Sequence, residues 1–256
     1  MSRFENQVVV VTGAGRGIGA AYARMFAAQG AMVVVNDLDA DAAHESAAAI
    51  GGLAASGDAS TEAGVELLIG TARELAGPID VYCANAGVAH KGLVDAAEEA
   101  WETSWQVNVM AHVRTKALIP QWVSRGRGMF VSTVSAAGLL TIPGSAPYAV
   151  TKHAAYAYAE WLSMTYGDAG VRVHAVCPQG VRTQMLRDSG AVGRALMDES
   201  AIEADDVAAA LLAAIKAERF LVLPHPEVGQ MYAGRAADPD RWLDGMRRLR
   251  RSLPDH

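Results

Sequence analysis

Four consecutive β-branched residues, Val8 to Val11, run directly into Thr12-Gly13-Ala14-Gly15-Arg16-Gly17-Ile18-Gly19. No other stretch limits the fold as much. A strand with valine on both faces has no solvent side, so it must lie inside a sheet that is covered on both sides. The glycines permit a tight turn, and a helical pattern follows at once over about 18–29, stopped by Gly30. The unit then recurs. Strand-like runs at 32–35, 51–57 (short and weak), 79–83, 128–134, 171–176 and 220–223 alternate with helical stretches at 39–50, 60–76, 96–125, 148–168 and 204–218. Ser60 is the expected cap of the third helix, and a bend is expected near Pro120 in the long one. Repeated βα units fold as a parallel sheet wrapped by helices. No repeat or linker interrupts the pattern through residue 176, so one domain over 1–256 is expected.

Beyond Pro178 the pattern loosens. Residues 183–203 are mixed in charge, contain Gly190 and Gly193, and suit a mobile lid. Pro224-His225-Pro226 ends the last strand and opens a tail over 224–256. Within it, 241–253 reads as an amphipathic helix with Trp242, Met246, Leu249 and Leu253 on one stripe. That stripe implies a buried face, on this subunit or across an interface. Arg247, Arg248, Arg250 and Arg251 fall on the wet side.

Composition excludes several classes. With 22 Lys+Arg against 28 Asp+Glu the net charge is −6, which argues against nucleic acid as the main partner. The two cysteines, Cys83 and Cys177, sit in apolar contexts and form neither a disulfide framework nor a metal-ligand spacing. No apolar run is long enough to cross a bilayer, and the first residues lack a signal-peptide pattern. A cytoplasmic protein without a metal is expected.

The glycine loop points to a dinucleotide. Backbone N–H groups of such a turn approach a pyrophosphate, and the helix beginning there adds its positive end. Asp37 closes the second strand, where a carboxylate accepts a hydrogen bond from a ribose 2′-hydroxyl and repels a 2′-phosphate, which favours NAD. Arg16 is either a 2′-phosphate partner or a solvated loop residue. Asp58, after the third strand, either touches the adenine or caps a helix.

Taken in order, these residues resemble the short-chain dehydrogenase/reductase family. The match runs from TGxxxGxG at Thr12–Gly19 through Asn85-Ala86-Gly87, Asn108, Ser135 and Tyr148-x-x-x-Lys152 to Pro178-x-Gly180-x-x-Thr183. The resemblance implies a single doubly wound Rossmann domain with seven parallel strands. It implies catalytic roles for Ser135, Tyr148 and Lys152, with Asn108 as fourth member. Gly13, Gly15, Arg16, Gly17, Ile18, Gly19, Asp37, Asp58, Asn85, Ala86, Gly87, Tyr148, Lys152, Pro178, Gly180, Val181 and Thr183 would then surround the cofactor. A homodimer or homotetramer built on the two long helices is implied as well.

The chemistry of the set has its own logic. Moving a hydride to or from an alcohol carbon requires a proton at the oxygen. A tyrosine is a poor base at neutral pH, and a lysine four residues on shares its helical face. That ammonium is expected to lower the phenol pKa. Ser135 would orient the substrate oxygen, and Asn108 would place a water linking Lys152 to solvent. The expected pocket residues Ala137, Leu139, Gln179, Met185 and Leu186 are mostly apolar. They suggest an uncharged, fairly hydrophobic secondary alcohol or ketone. The alternative is an NADPH-dependent carbonyl or 3-oxoacyl thioester reductase, with Arg182, Arg187 and Arg194 meeting phosphate. A nucleotide-sensing binding protein is a third reading, which the intact Ser135, Tyr148 and Lys152 disfavour.

Overall fold

The computed structural model describes residues 3–253. Seven strands, β1 (Val8–Val11), β2 (Met32–Val35), β3 (Leu53–Ala54), β4 (Ile79–Ala84), β5 (Gly128–Thr133), β6 (Val171–Val176) and β7 (Leu221–Val222), form one sheet in the order β3-β2-β1-β4-β5-β6-β7. Every pairing is parallel. The alternation of the first strand explains the layers. Val8 and Val10 join a core that includes Leu68, Trp122 and Leu162, while Val9 and Val11 join one that includes Tyr22, Phe26 and Leu211. The helices α1 (Gly17–Ala28), α2 (Ala40–Ile50) and α11 (Ala204–Lys216) therefore cover one face. The helices α3 (Glu62–Ala76), α6 (Ile119–Arg125) and α8 (Ala146–Tyr166) cover the other.

Strand order reverses between β1 and β4. In a sheet of this kind the crevice beyond the carboxyl ends of those two strands is the natural ligand site.

Several local expectations need correction. Thr61, not Ser60, caps α3: its hydroxyl accepts from Gly64 N–H at 3.0 Å. The long helical region does not bend at Pro120, which sits harmlessly in the first turn of α6. It breaks earlier, where α4 (Glu98–Trp105) passes into a π turn at Gln106–Met110, then α5 (Ala111–Val113) and a 3₁₀ turn at Arg114–Leu118. An extra residue in a helical turn is accommodated by tertiary packing, here around the buried Asn108 and His112.

A short helix lies between β5 and α8, and the lid lies after β6. The former is α7 (Ala137–Leu140), which follows β5; the lid is α9 (Gln184–Arg187) and α10 (Gly190–Met197). The tail holds an unexpected helix, α12 (Glu227–Ala237), before α13 (Pro239–Ser252). Its weak apolar pattern and the preceding Pro-His-Pro hid it. Among the described residues no helix is long and apolar enough to cross a membrane.

Candidate active site

The carboxyl ends of β1 and β4 are fastened by side chains. The Thr12 hydroxyl accepts from the N–H groups of Asn85 (3.0 Å) and Ala86 (3.1 Å) and donates to the Cys83 carbonyl at 3.3 Å. The Asn85 amide donates to the Thr12 and Gly13 carbonyls, and its oxygen accepts from the Thr133 hydroxyl at 3.1 Å. Three strands are thereby held in register where the glycine loop begins.

Within that loop the glycines do different things. Gly13 has φ +59°, and a Cβ there would lie 2.9 Å from Ala86 Cα. A Cβ on Gly19 would lie 2.2 Å from the Gly13 carbonyl oxygen, so no side chain fits beneath the loop. Gly15 sends its N–H to Asp37 Oδ2 at 2.9 Å, while Oδ1 of the same carboxylate accepts from Asp39 N–H at 3.1 Å. Asp37 is thus oriented by backbone. Arg16 pairs with Asp39 at 2.5 Å on the surface, so its charge is already engaged. Asp58 accepts from Ser60 N–H at 2.8 Å.

A continuous cleft of about 1480 Å³ starts at Gly13, Gly17, Ile18, Asp37 and Asp58. It passes Asn85, Ala86 and Gly87 and reaches Ser135, Tyr148 and Lys152. A Cβ on Gly87 would lie 3.3 Å from Asn108 Oδ1 and 3.4 Å from Lys152 Nζ, so glycine keeps this floor low. Pro178, Gly180, Val181 and Thr183 form the opposite bank; a Cβ on Gly17 would meet the Thr183 methyl at 3.2 Å, which shows how closely the banks approach. The Thr183 hydroxyl donates to the Val181 carbonyl at 3.2 Å.

Tyr148 and Lys152 lie one turn apart on α8, with Lys152 Nζ 5.7 Å from the Tyr148 ring centre. Lys152 is buried and donates to the Thr133 carbonyl at 2.8 Å. Burial lowers its pKa to about 8. Tyr148 departs from expectation. Burial pushes its phenol above the usual value, and the nearby Ser135 hydroxyl pulls the other way. The lysine is turned to a backbone carbonyl and does not offset that burial. Ser135 also accepts from Ala137 N–H at 3.1 Å.

Asn108 is fully buried, and its side chain is committed. The amide donates to the Val88 carbonyl (2.9 Å) and the Thr151 hydroxyl (3.0 Å), and its oxygen accepts from Val88 N–H at 2.9 Å. The side chain therefore fastens α8 to the segment after β4 and does not face the cleft. Leu139 also needs correction: it is 1% exposed and belongs to the core, whereas Leu140 lines the cleft. On a helical turn, adjacent residues point about 100° apart. Ala137, Gln179, Met185 and Leu186 do line the cleft, and so do Trp242, Met246 and Leu249, whose covered face lies on this subunit. Arg182 pairs with Glu203 at 3.2 Å and Arg187 with the Gln184 side chain, while Arg194 bonds the Arg187 carbonyl. None of these three arginines lines the cleft.

The sequence pattern of the short chain dehydrogenase family matches residues 7–192. The chain belongs to the short-chain dehydrogenase/reductase family. Among curated members, it is 35% identical to 1-deoxy-11-beta-hydroxypentalenate dehydrogenase of Streptomyces exfoliatus over 237 residues, 87% of this chain and 84% of that one. A short chain dehydrogenase/reductase from Burkholderia phymatum, solved in complex with NAD, matches with a TM-score of 0.85 at 27% identity, over 100% of this chain and 99% of that one. The 3-ketoacyl-(acyl-carrier-protein) reductase from Brucella melitensis, complexed with NADH, matches with a TM-score of 0.76 at 29% identity, over 86% of this chain and 96% of that one. In this chain the strand-loop-helix at its start and Ser135, Tyr148 and Lys152 open on one cleft.

Proposed function

We propose that this protein transfers a hydride between NAD(H) and an uncharged, fairly hydrophobic secondary alcohol or ketone, with Tyr148 as general acid/base. One observation carries the reading: a single cleft runs from the backbone-oriented Asp37 carboxylate to Ser135 and Tyr148, then continues between apolar walls. The residues fit a dinucleotide. Gly13 and Gly17 leave a cradle without side chains, Asp37 would meet a ribose hydroxyl, and Asp58 would stand at the adenine end. Lys152 would hold the nicotinamide ribose, and Val181 backbone and the Thr183 hydroxyl its carboxamide. The hydride capacity comes from the bound nicotinamide. Asp37 disfavours a 2′-phosphate by charge, and Arg16 is held by Asp39.

The remaining steps belong to the chain's own groups. Ser135 donates to the substrate oxygen and orients it against Tyr148. The raised phenol holds its proton at neutral pH, so it is ready to protonate a ketone oxygen during reduction. Alcohol oxidation needs the phenolate, and its rate is expected to climb as pH rises. The nearest alternative, a phosphate-bearing thioester substrate, would find Lys91 as the basic side chain on this part of the cleft, because the lid arginines bond elsewhere. A second copy is expected against α4 and α8, where Trp105, Trp161 and Met164 stand exposed.

Titration of intrinsic tryptophan fluorescence with NADH and NADPH tests the cofactor, and rates on neutral ketones against keto acids test the substrate. Tighter NADH binding and faster neutral ketones are expected. Tighter NADPH binding, or a preference for anions, overturns the reading.

A further inference from the structure

The family's motifs end near residue 183, so they leave the C-terminal helices without a role. Helix α13 has no fully buried residue, and Arg241, Arg247, Arg248 and Arg251 face water. Yet Trp242, Met246 and Leu249, spaced four and three residues apart on one face, line the same cleft as Tyr148. Trp242 also packs against the core, while Met246 and Leu249 extend the apolar face along the cleft.

The helix is also placed with some definition. Arg235 in α12 bonds the Leu139 carbonyl and sits 3.1 Å from His153 Nε2, which ties α12 to α7 and α8 beside the reactive groups. Asp238 then caps α13 by accepting from Arg241 N–H at 3.0 Å. Trp242 also borders a second, open pocket of about 330 Å³, lined by Gly234, Ala237 and Gly245 among others. Met185 and Leu186 of the lid line the same cleft as Tyr148.

We propose that α13 is the outer wall of the substrate end, and that Trp242, Met246 and Leu249 select bulky, multi-ring or long-chain neutral substrates over small ones. The proposal rests on the hydrophobic-alcohol reading above and names the residues that set its size range. A small ketone reaches Ser135 and Tyr148 without touching this wall, whereas a larger one buries apolar area against it.

The test is a ladder of neutral ketones, butanone, cyclohexanone, 2-octanone and trans-1-decalone, assayed with NADH on wild type, Trp242→Ala, Leu249→Ser and the outward-facing control Leu243→Ala. Thermal melting confirms that each variant is folded. The ratio of kcat/KM for decalone to that for butanone is expected to fall at least tenfold in Trp242→Ala and about threefold in Leu249→Ser, and to stay put in the control. A ratio unchanged in Trp242→Ala, or changed equally in Leu243→Ala, overturns the proposal. Binding of the neutral dye Nile red, displaced by decalone, reads the same wall without turnover. If wild type reduces none of the ketones, the function reading fails by itself. The wall then stands if Trp242→Ala weakens displacement by decalone at least fivefold, and falls if it does not.

Discussion

The two ends of the cleft are built by opposite means. At the dinucleotide end, contacts are polar, short and made to backbone: Thr12 and Asn85 join three strands, and a Cβ on Gly13 or Gly19 would strike neighbouring main chain. At the substrate end the walls are mostly apolar side chains from α9, α10, α12 and α13, several of them half-exposed, with Gln184 and Glu227 among them. Directional hydrogen bonds allow one arrangement, while apolar contact is non-directional and tolerates many. The first end can serve one ligand across a family; the second is free to change with the substrate.

The most severe break falls at the seam between the ends. Tyr148→Phe keeps the ring and removes the acid, so kcat is expected to drop by roughly 10³-fold with the melting temperature nearly unchanged. A loss under tenfold in steady-state assays would remove Tyr148 from the chemistry. Next comes Gly19→Ala. Its methyl would meet the Gly13 carbonyl oxygen at 2.2 Å, and a cost of about 3 kcal/mol is expected by denaturant unfolding. The corresponding change on the substrate side, Met185→Ala, touches a 41%-exposed side chain and is expected to cost under about 0.5 kcal/mol. Equal costs would erase the contrast.

Asp37→Ser leaves the fold but removes a charged acceptor. NADH binding is expected to weaken by roughly 10- to 100-fold in the fluorescence titration, with NADPH affected less. A smaller effect is set by pH. His112 is buried beneath the site, bonded through Nδ1 to Ser132, and burial lowers its pKa to about 3. The unfolded chain takes up that proton near pH 6.5 and the folded chain does not. Stability is therefore fully present above about 6.5 and declines as pH falls toward 3, by up to about 1.4 kcal/mol per pH unit. Unfolding curves at pH 7 and pH 5 should differ by about 2 kcal/mol, and His112→Gln should shrink the gap.

The same contrast explains what could be read from the sequence. The strands, the glycine loop and the spacing of Ser135, Tyr148 and Lys152 were legible because each rests on local periodicity or a local steric demand. Asp37 at the end of β2 was legible too, since a strand end has a fixed place in a βαβ unit. Leu139 was misplaced because one residue of offset on α7 turns a side chain from cleft to core. The raised Tyr148 phenol was invisible, since burial depends on elements far away in the chain. The π turn and the commitment of the Asn108 amide escaped for the same reason: each answers to packing between α5, α8 and the segment after β4. The Trp242 stripe was recognised as amphipathic, but sequence alone could not say that its partner is a cleft.

The placement of β1 also bears on how the chain acquires its shape. Val9 pairs with Val33 on one side and with Val81 on the other. The first strand can find one neighbour early in synthesis but waits for the other until β4 has emerged. Thr12 then fastens to Asn85, and Asn85 to Thr133, so the dinucleotide end closes only after β5 is in place. A nascent chain shorter than about 135 residues has the glycine motif in full but no cleft around it. Gain of dinucleotide affinity therefore marks the late assembly of the sheet's centre, and contacts of such long sequence separation favour slow folding.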